Sequence, residues 1–336
     1  MPRLPQLADG ITLKPEEFRL LRDLFASRTG LYFGPDVRFA LERRLRERLS
    51  LLKLSSFGEY HHYLRFSAHA AAEWDEAVDL LTTNETYFFR EERQLRAFRY
   101  ELLPMLHQKT RGQRRLLVWS AGCATGEEAY TIAILIHQSG LFFPRRRLAQ
   151  ATTTPSGRSD AGSSRPSVAG HEGSDRTGKA EPLAWDVRVY GSDISRRCVA
   201  VARRGLYGES SFRVTTELQR REFFVERPDG WQVTDAIRQC CHFGQMNLLD
   251  DRSRALGGVD AIFCRNVLIY FDPRARKTAI ELLYDRLNPG GVLLLGHSES
   301  LLNLSTAFEL LHLKDDLVYR KPVSAGGSVQ LPDQLK

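Results

Sequence analysis

Val118-Trp119-Ser120-Ala121-Gly122-Cys123-Ala124-Thr125-Gly126-Glu127-Glu128 changes character twice along its length. The apolar run Leu116 to Trp119 reads as a short buried strand. It breaks into small residues from Ser120 to Gly126. Beyond Gly126 the apolar residues Ala129, Ile132, Ala133 and Ile136 recur at helical spacing. Strand, small-residue loop and helix in that order open a nucleotide-binding α/β layer. Gly122 and Gly126 permit a sharp turn and a close approach of ligand to backbone. Where a phosphate-binding loop would carry Lys or bare N–H groups, this one has Glu127 and Glu128. These carboxylates would repel a pyrophosphate and suit a cationic or hydroxylated ligand. A plainer reading of the pair is a helix start favoured by the helix dipole.

Composition narrows the class. At 336 residues, 42% hydrophobic and 26% charged, the chain is long enough for one large core, or for one core plus a helical module. No run approaches the roughly 18 apolar residues of a membrane span, and Met1-Pro2-Arg3 starts no secretory apolar region. Five cysteines, an odd number without CxxC spacing, argue against a disulfide framework or a metal site and for a reducing, cytoplasmic setting. The net charge of +7 points to an acidic partner without choosing among nucleic acid, membrane and protein.

Residues 12–83 read as helical. Leu20, Leu21, Leu24 and Phe25 have amphipathic spacing, and Thr29-Gly30 is a stop signal. A second helix, about 36–51, puts Leu41, Leu45, Leu49 and Leu52 on one face and carries Arg38, Arg43, Arg44, Arg46 and Arg48. Ser55-Ser56 caps a third, and a fourth runs from Ala71 to Leu81. A helix at about 91–108 leads into the opening strand. The stretch 144–182 is rich in Ser, Thr, Gly, Arg and Ala and reads as a flexible insertion. The α/β pattern resumes with strands at Val187–Tyr190 and Ala261–Phe263. A β-subdomain is expected over 211–245, with a hairpin turning at Pro228-Asp229-Gly230. A helix at about 273–286 and the turn Asn288-Pro289-Gly290-Gly291 precede a further strand, and 323–336 reads as a flexible tail.

Loops 120–126, 191–195 and 264–267 follow the carboxyl ends of strands, where an open parallel sheet forms its ligand crevice. S-adenosylmethionine, with its sulfonium, ammonium and ribose diol, suits such a crevice lined by acids. Asp193 is placed to take a ribose diol or, alternatively, to cap the next helix. Asn247 and Asn266 end two further strands, placed for an adenine edge, for a methionine moiety, or simply to cap a turn.

Several stretches together resemble one family. They are Thr83-Asn84-Glu85-Thr86-Tyr87-Phe88-Phe89-Arg90-Glu91, Val118 to Tyr130, and Tyr190-Gly191-Ser192-Asp193-Ile194-Ser195. They continue with Ala261-Ile262-Phe263-Cys264-Arg265-Asn266-Val267-Leu268-Ile269-Tyr270-Phe271-Asp272 and Gly296-His297-Ser298-Glu299-Ser300-Leu301. The family is the CheR-type chemotaxis receptor methyltransferases, protein-glutamate O-methyltransferases. The resemblance implies a class I S-adenosylmethionine-dependent methyltransferase sheet (Rossmann-like α/β), spanning 84–322, with an N-terminal all-α domain and a small antiparallel β-subdomain inserted. It implies S-adenosyl-L-methionine as cofactor and S-adenosyl-L-homocysteine as product. Cofactor contacts would fall on Asn84, Thr86, Arg90, Glu128, Asp193, Asn247, Leu248, Arg265 and Asn266, with Glu127 the alternative to Glu128. Arg90 and Tyr270 match the residues beside the transferred methyl. The implied partner is the cytoplasmic signalling domain of a chemoreceptor, with no nucleic acid, no membrane insertion and a monomeric enzyme. The acidic receptor surface would dock on Arg38, Arg44 and Arg48. Phe88 and Phe89 are expected as core, one of them bordering the adenine.

One departure bears on docking. Relatives that bind a receptor's C-terminal pentapeptide carry a Gly-x-Gly loop in the hairpin. Here the turn is Glu226-Arg227-Pro228-Asp229-Gly230-Trp231, which predicts independence of that tether.

Overall fold

A computed structural model describes residues 10–143, 184–250, 257–302 and 304–323. The insertion expected at 144–182 and, save Val323, the tail expected at 323–336 lie outside the described residues.

The N-terminal helices are α1 (Pro15–Thr29), α2 (Arg38–Leu52), α3 (Phe57–Phe66) and α4 (Ala70–Leu81). Pro15 sits in the first turn of α1, where its missing N–H costs nothing. Ser56 caps α3 by accepting from Glu59 N–H. The stripe Phe18, Leu21 and Phe25 meets Leu41, Leu45 and Leu49 of α2 and Tyr60, Leu64 and Trp74 beyond it, forming a separate core.

The helix expected at 91–108 is three pieces: α5 (Glu92–Ala97), a wider π-type turn over Phe98–Leu102, and α6 (Leu103–Thr110). Pro104 lacks the N–H that would bond the carbonyl four residues back, and just before it Leu103 N–H reaches Phe98 O. Then follow β1 (Arg115–Ala121), α7 (Glu127–Ser139), β2 (Asp186–Asp193), α8 (Arg196–Arg204), β3 (Leu206–Tyr207), α9 (Glu217–Phe223), β4 (Phe224–Arg227), β5 (Gly230–Val233) and α10 (Asp235–Arg238). The chain ends with β6 (Cys241–Gln245), β7 (Val259–Cys264), α11 (Pro273–Arg286), β8 (Leu287–Leu295), β9 (Glu309–His312) and β10 (Leu317–Arg320).

The main sheet runs β6-β2-β1-β7-β8-β10-β9. Strands β6, β2, β1, β7 and β8 are parallel, and β10 is antiparallel to both neighbours. Central β1 is buried on both faces. Leu116 and Val118 enter one core with α7, while Leu117, Trp119 and Ala121 enter the other with α11. The chain leaves β1 toward β2 and leaves β7 toward β8, so the strand order reverses between β1 and β7, where a crevice opens at the carboxyl edge.

Three features differ from expectation. The small sheet is β3-β5-β4, so its third strand is Leu206–Tyr207, upstream of residue 211. Two residues are too few to display a period. Cys241–Gln245, expected inside the β-subdomain over 211–245, instead pairs in parallel with β2, Val189 opposite Cys241, and forms the edge of the main sheet. The turn at Asn288-Pro289-Gly290-Gly291 is a bulge within β8, where the register with β7 shifts between Val259 and Ala261.

Candidate active site

Asn84, Thr86, Arg90, Glu128, Asp193, Asn247, Leu248, Arg265, Asn266 and Tyr270 all line one cleft. Its floor is the carboxyl edge of β1, β2 and β7. Its far wall is the helical domain, through Thr29, Tyr32 and Phe33. The two halves are joined there: Tyr32 N–H donates to Tyr270 O at 2.8 Å, and Leu31 bridges Phe271.

The loop after β1 is fitted to the loop after β7. Gly122 has φ 75°, and a Cβ there would lie 2.4 Å from Val267 Cγ2, so only glycine fits. Asp193 fastens the same loop from β2. Its carboxylate accepts from Ala124 N–H at 2.8 Å and Ser195 N–H at 2.9 Å. Burial raises its pKa, and those two N–H donors oppose the rise. The helix cap itself is Ser195, which accepts from Cys198 N–H, so the capping alternative for Asp193 gives way to an anchoring role.

The paired glutamates point apart. Glu128 lines the cleft, accepting from Ser120 Oγ at 2.6 Å and Arg265 Nε at 2.8 Å. Glu127 is buried away from the cleft between the hydroxyls of Thr125 and Ser211, 2.6 and 2.9 Å away, and burial raises its pKa. Arg265 has a side chain only 3% exposed. Besides Glu128, it donates to Gln94 Oε1 at 3.2 Å and to Arg90 O at 3.0 Å. A guanidinium so engaged holds Glu128 and the backbone of Arg90 in place. Asn247 likewise braces the fold: its amide donates to Arg28 O at 2.8 Å and its carbonyl accepts from Leu249 N–H.

Arg90 stands at the mouth. Its Nη1 donates to Glu85 O at 3.0 Å, and among the described residues no carboxylate lies within ion-pair distance of it. Flanking Phe89 and Glu91 both have left-handed backbone, φ 60° and 62°, a conformation costing on the order of 1–3 kcal/mol each. Tyr270 is 37% exposed, and its hydroxyl makes no hydrogen bond within the described residues. Phe88 is core as expected, packed edge-on against Tyr207 and Phe224. Phe89 is buried too, and neither ring borders the cleft.

Two of the three arginines expected to dock the receptor, Arg44 and Arg48, are engaged inside the fold. Arg48 turns inward, donating from Nε and Nη2 to the two oxygens of Glu73 at 3.0 and 2.6 Å. That carboxylate is 3% exposed and also accepts from Tyr60 Oη at 2.7 Å. Arg44 donates to Leu81 O at 3.0 Å. Both flank the apolar stripe of α2, and α4 packs over that flank and takes them. Arg38 stays half-exposed, over the ring of Phe39, and Arg43 is exposed.

Sequence reasoning missed three contributors to the cleft. Gln94 bridges Leu295 O and Arg265. Tyr32 joins the two walls. Glu299 lies in a quoted stretch, yet its role is invisible there because three of its four partners are backbone groups of another loop.

Residues 84–147 and 176–316 match the family description "CheR methyltransferase, SAM binding domain", and residues 16–82 match "CheR methyltransferase, all-alpha domain". The chain belongs to the CheR methyltransferase family. It is 33% identical over 315 residues to chemotaxis protein methyltransferase 2 of Vibrio cholerae, covering 93% of this chain and 95% of that one. It is 30% identical over 311 residues to the chemotaxis protein methyltransferase of Salmonella typhimurium, covering 91% of each. The Escherichia coli enzyme of that name gives 30% over 311 residues, with 91% and 92% covered.

The chain is therefore an S-adenosylmethionine-dependent methyltransferase of chemotaxis, from a family whose activity is protein-glutamate O-methylation. The cleft's own chemistry fits that donor. Two carboxylates, Glu128 and Asp193, and the amides of Asn84, Asn247 and Asn266 suit an ammonium and a diol, and Ile194, Met246 and Leu248 offer an apolar shelf for a flat base. When bound, the donor supplies an electrophilic methyl on a cationic sulfur.

Proposed function

We propose that the enzyme esterifies glutamate side chains on the cytoplasmic signalling helices of chemoreceptors. A glutamate is already ionised at neutral pH, so the acceptor needs no strong base. It needs alignment with the methyl and shelter from water, which together supply several kcal/mol of barrier lowering. Arg90 and Tyr270 are the groups suited to this. A guanidinium and a phenol that both line the cofactor cleft, neither paired with a carboxylate among the described residues, are the observation that carries the reading. Arg90 steers the incoming carboxylate by charge-assisted hydrogen bonds, and the Tyr270 hydroxyl holds either reactant. Asn84, Thr86, Glu128, Asp193, Asn247, Leu248 and Asn266 hold the donor, with Arg265 acting behind Glu128.

The receptor helix lies against the helical domain, 12–83, meeting Arg38 and Arg43 on the outer face of α2. The hairpin joining β4 and β5 turns at Pro228-Asp229 without a Gly-x-Gly loop, in keeping with independence of a receptor pentapeptide. The enzyme works as a cytoplasmic monomer without nucleic acid.

Transfer of tritiated methyl from S-adenosylmethionine to receptor-bearing membranes tests this. Alkali-labile methyl esters should form on the receptor, equally fast with or without its terminal pentapeptide. Arg90→Ala should lower kcat by on the order of a hundredfold, the cost of a misaligned acceptor. Label appearing only in RNA, or only in alkali-stable form on protein, would overturn the assignment.

A further inference from the structure

The Glu299 carboxylate is saturated by backbone donors. Its Oε2 accepts from Asn266 N–H at 2.7 Å and Gly296 N–H at 2.8 Å. Its Oε1 accepts from Val267 N–H at 2.9 Å and Ile269 N–H at 3.3 Å. A carboxylate offers about four acceptor sites, and all are used here on loop backbone. Three of the donors belong to the loop after β7, and one to the loop after β8. The two loops are neighbours because Cys264 and Leu295 end adjacent strands in register. The joint is close-fitting: a Cβ on Gly296 would lie 2.9 Å from both Asn266 N and Glu299 Oε2.

That loop begins at Asn266, in left-handed backbone at φ 59°, and ends at Tyr270. Three of its N–H groups point at a single carboxylate, which is what holds such a turn. Val267 in the same loop fills the space over Gly122. The placement of Tyr270, and the seating of the β7 loop on the β1 loop, thus both run through one side chain that does not itself line the cleft.

We propose that Glu299 is a positioning residue for methyl transfer, acting through the backbone of 266–269 to aim Tyr270. The proposal rests on Tyr270 standing beside the transferred methyl. Glu299→Gln tests it with little change in volume. An amide keeps one acceptor oxygen and turns its NH₂ toward two N–H groups, so half the joint is lost.

At saturating donor, Glu299→Gln should lower kcat by at least about tenfold with the receptor KM unchanged, the signature of an interaction that matters in the transition state. In a Tyr270→Phe background the same substitution should cost less than about twofold, because both changes act on one group. Gly296→Ala keeps the carboxylate but displaces it, and should reproduce the loss if Glu299→Gln folds poorly. Additive losses in Glu299→Gln/Tyr270→Phe overturn the role of Glu299 and leave Tyr270 in place. A Tyr270→Phe enzyme with full kcat overturns both.

Discussion

Glu127 and Glu128 are adjacent in sequence and face different surroundings. Glu128 meets a guanidinium at the cleft, whereas Glu127 is buried between two hydroxyls and its pKa is raised by that burial. A carboxyl whose pKa is raised in the fold holds its proton more tightly there than in the unfolded chain. Stability is then full below the ordinary carboxyl value and is lost as pH rises through the folded value. Glu127→Gln has no proton to release, and the hydroxyls of Thr125 and Ser211 can reverse to suit an amide. Melting curves should show the variant equal to the parent below about pH 4.3 and more stable at neutral pH. A variant less stable at neutral pH would contradict the assigned cause. The pair also marks where sequence reading stops. Two carboxylates at a loop-to-helix junction were legible. Which one faces the cleft depends on helix rotation against Ser211, 84 residues away.

Helix α2 has a similar limit. Its period reveals the apolar stripe but not the α4 carboxylate waiting beside it. Arg48 and Glu73 are 25 residues apart, and their pairing exists only once α2 and α4 pack. Arg48→Met would leave Glu73 buried with Tyr60 alone, and removing one partner of such a pair costs about 3 kcal/mol or more. Thermal denaturation should therefore show a clear fall in stability for Arg48→Met. Arg38→Glu should melt like the parent and instead raise the receptor KM at low salt, where exposed charges are least screened. An unchanged KM for Arg38→Glu would remove the docking role of α2. Elements with a long period, such as β1, α7 and α11, were legible along most of their length. The two-residue β3, the π-type turn before Pro104 and the Glu299 joint were not, because each is defined by backbone partners elsewhere in the fold.

The two bodies of the enzyme meet along a polar seam. Ser195 Oγ donates to Asp79 at 2.6 Å, Arg196 pairs with Glu76 at 3.0 Å, and Gln245 donates to Asp75 at 2.9 Å. The cleft opens along that seam, with walls from both sides, so a bound donor or product would tie helical domain to sheet. Product at a hundredfold excess over its Kd should add about 2.7 kcal/mol to the stability of the whole. The most direct test of the account is calorimetric titration of S-adenosylhomocysteine into the 336-residue chain and into its Asp193→Asn variant. One molecule should bind per chain, and the variant, which loses a charged anchor of the β1 loop, should bind about tenfold or more weakly. No binding to the parent, or equal affinity in the variant, would contradict a cofactor site built on the carboxyl edge of this sheet.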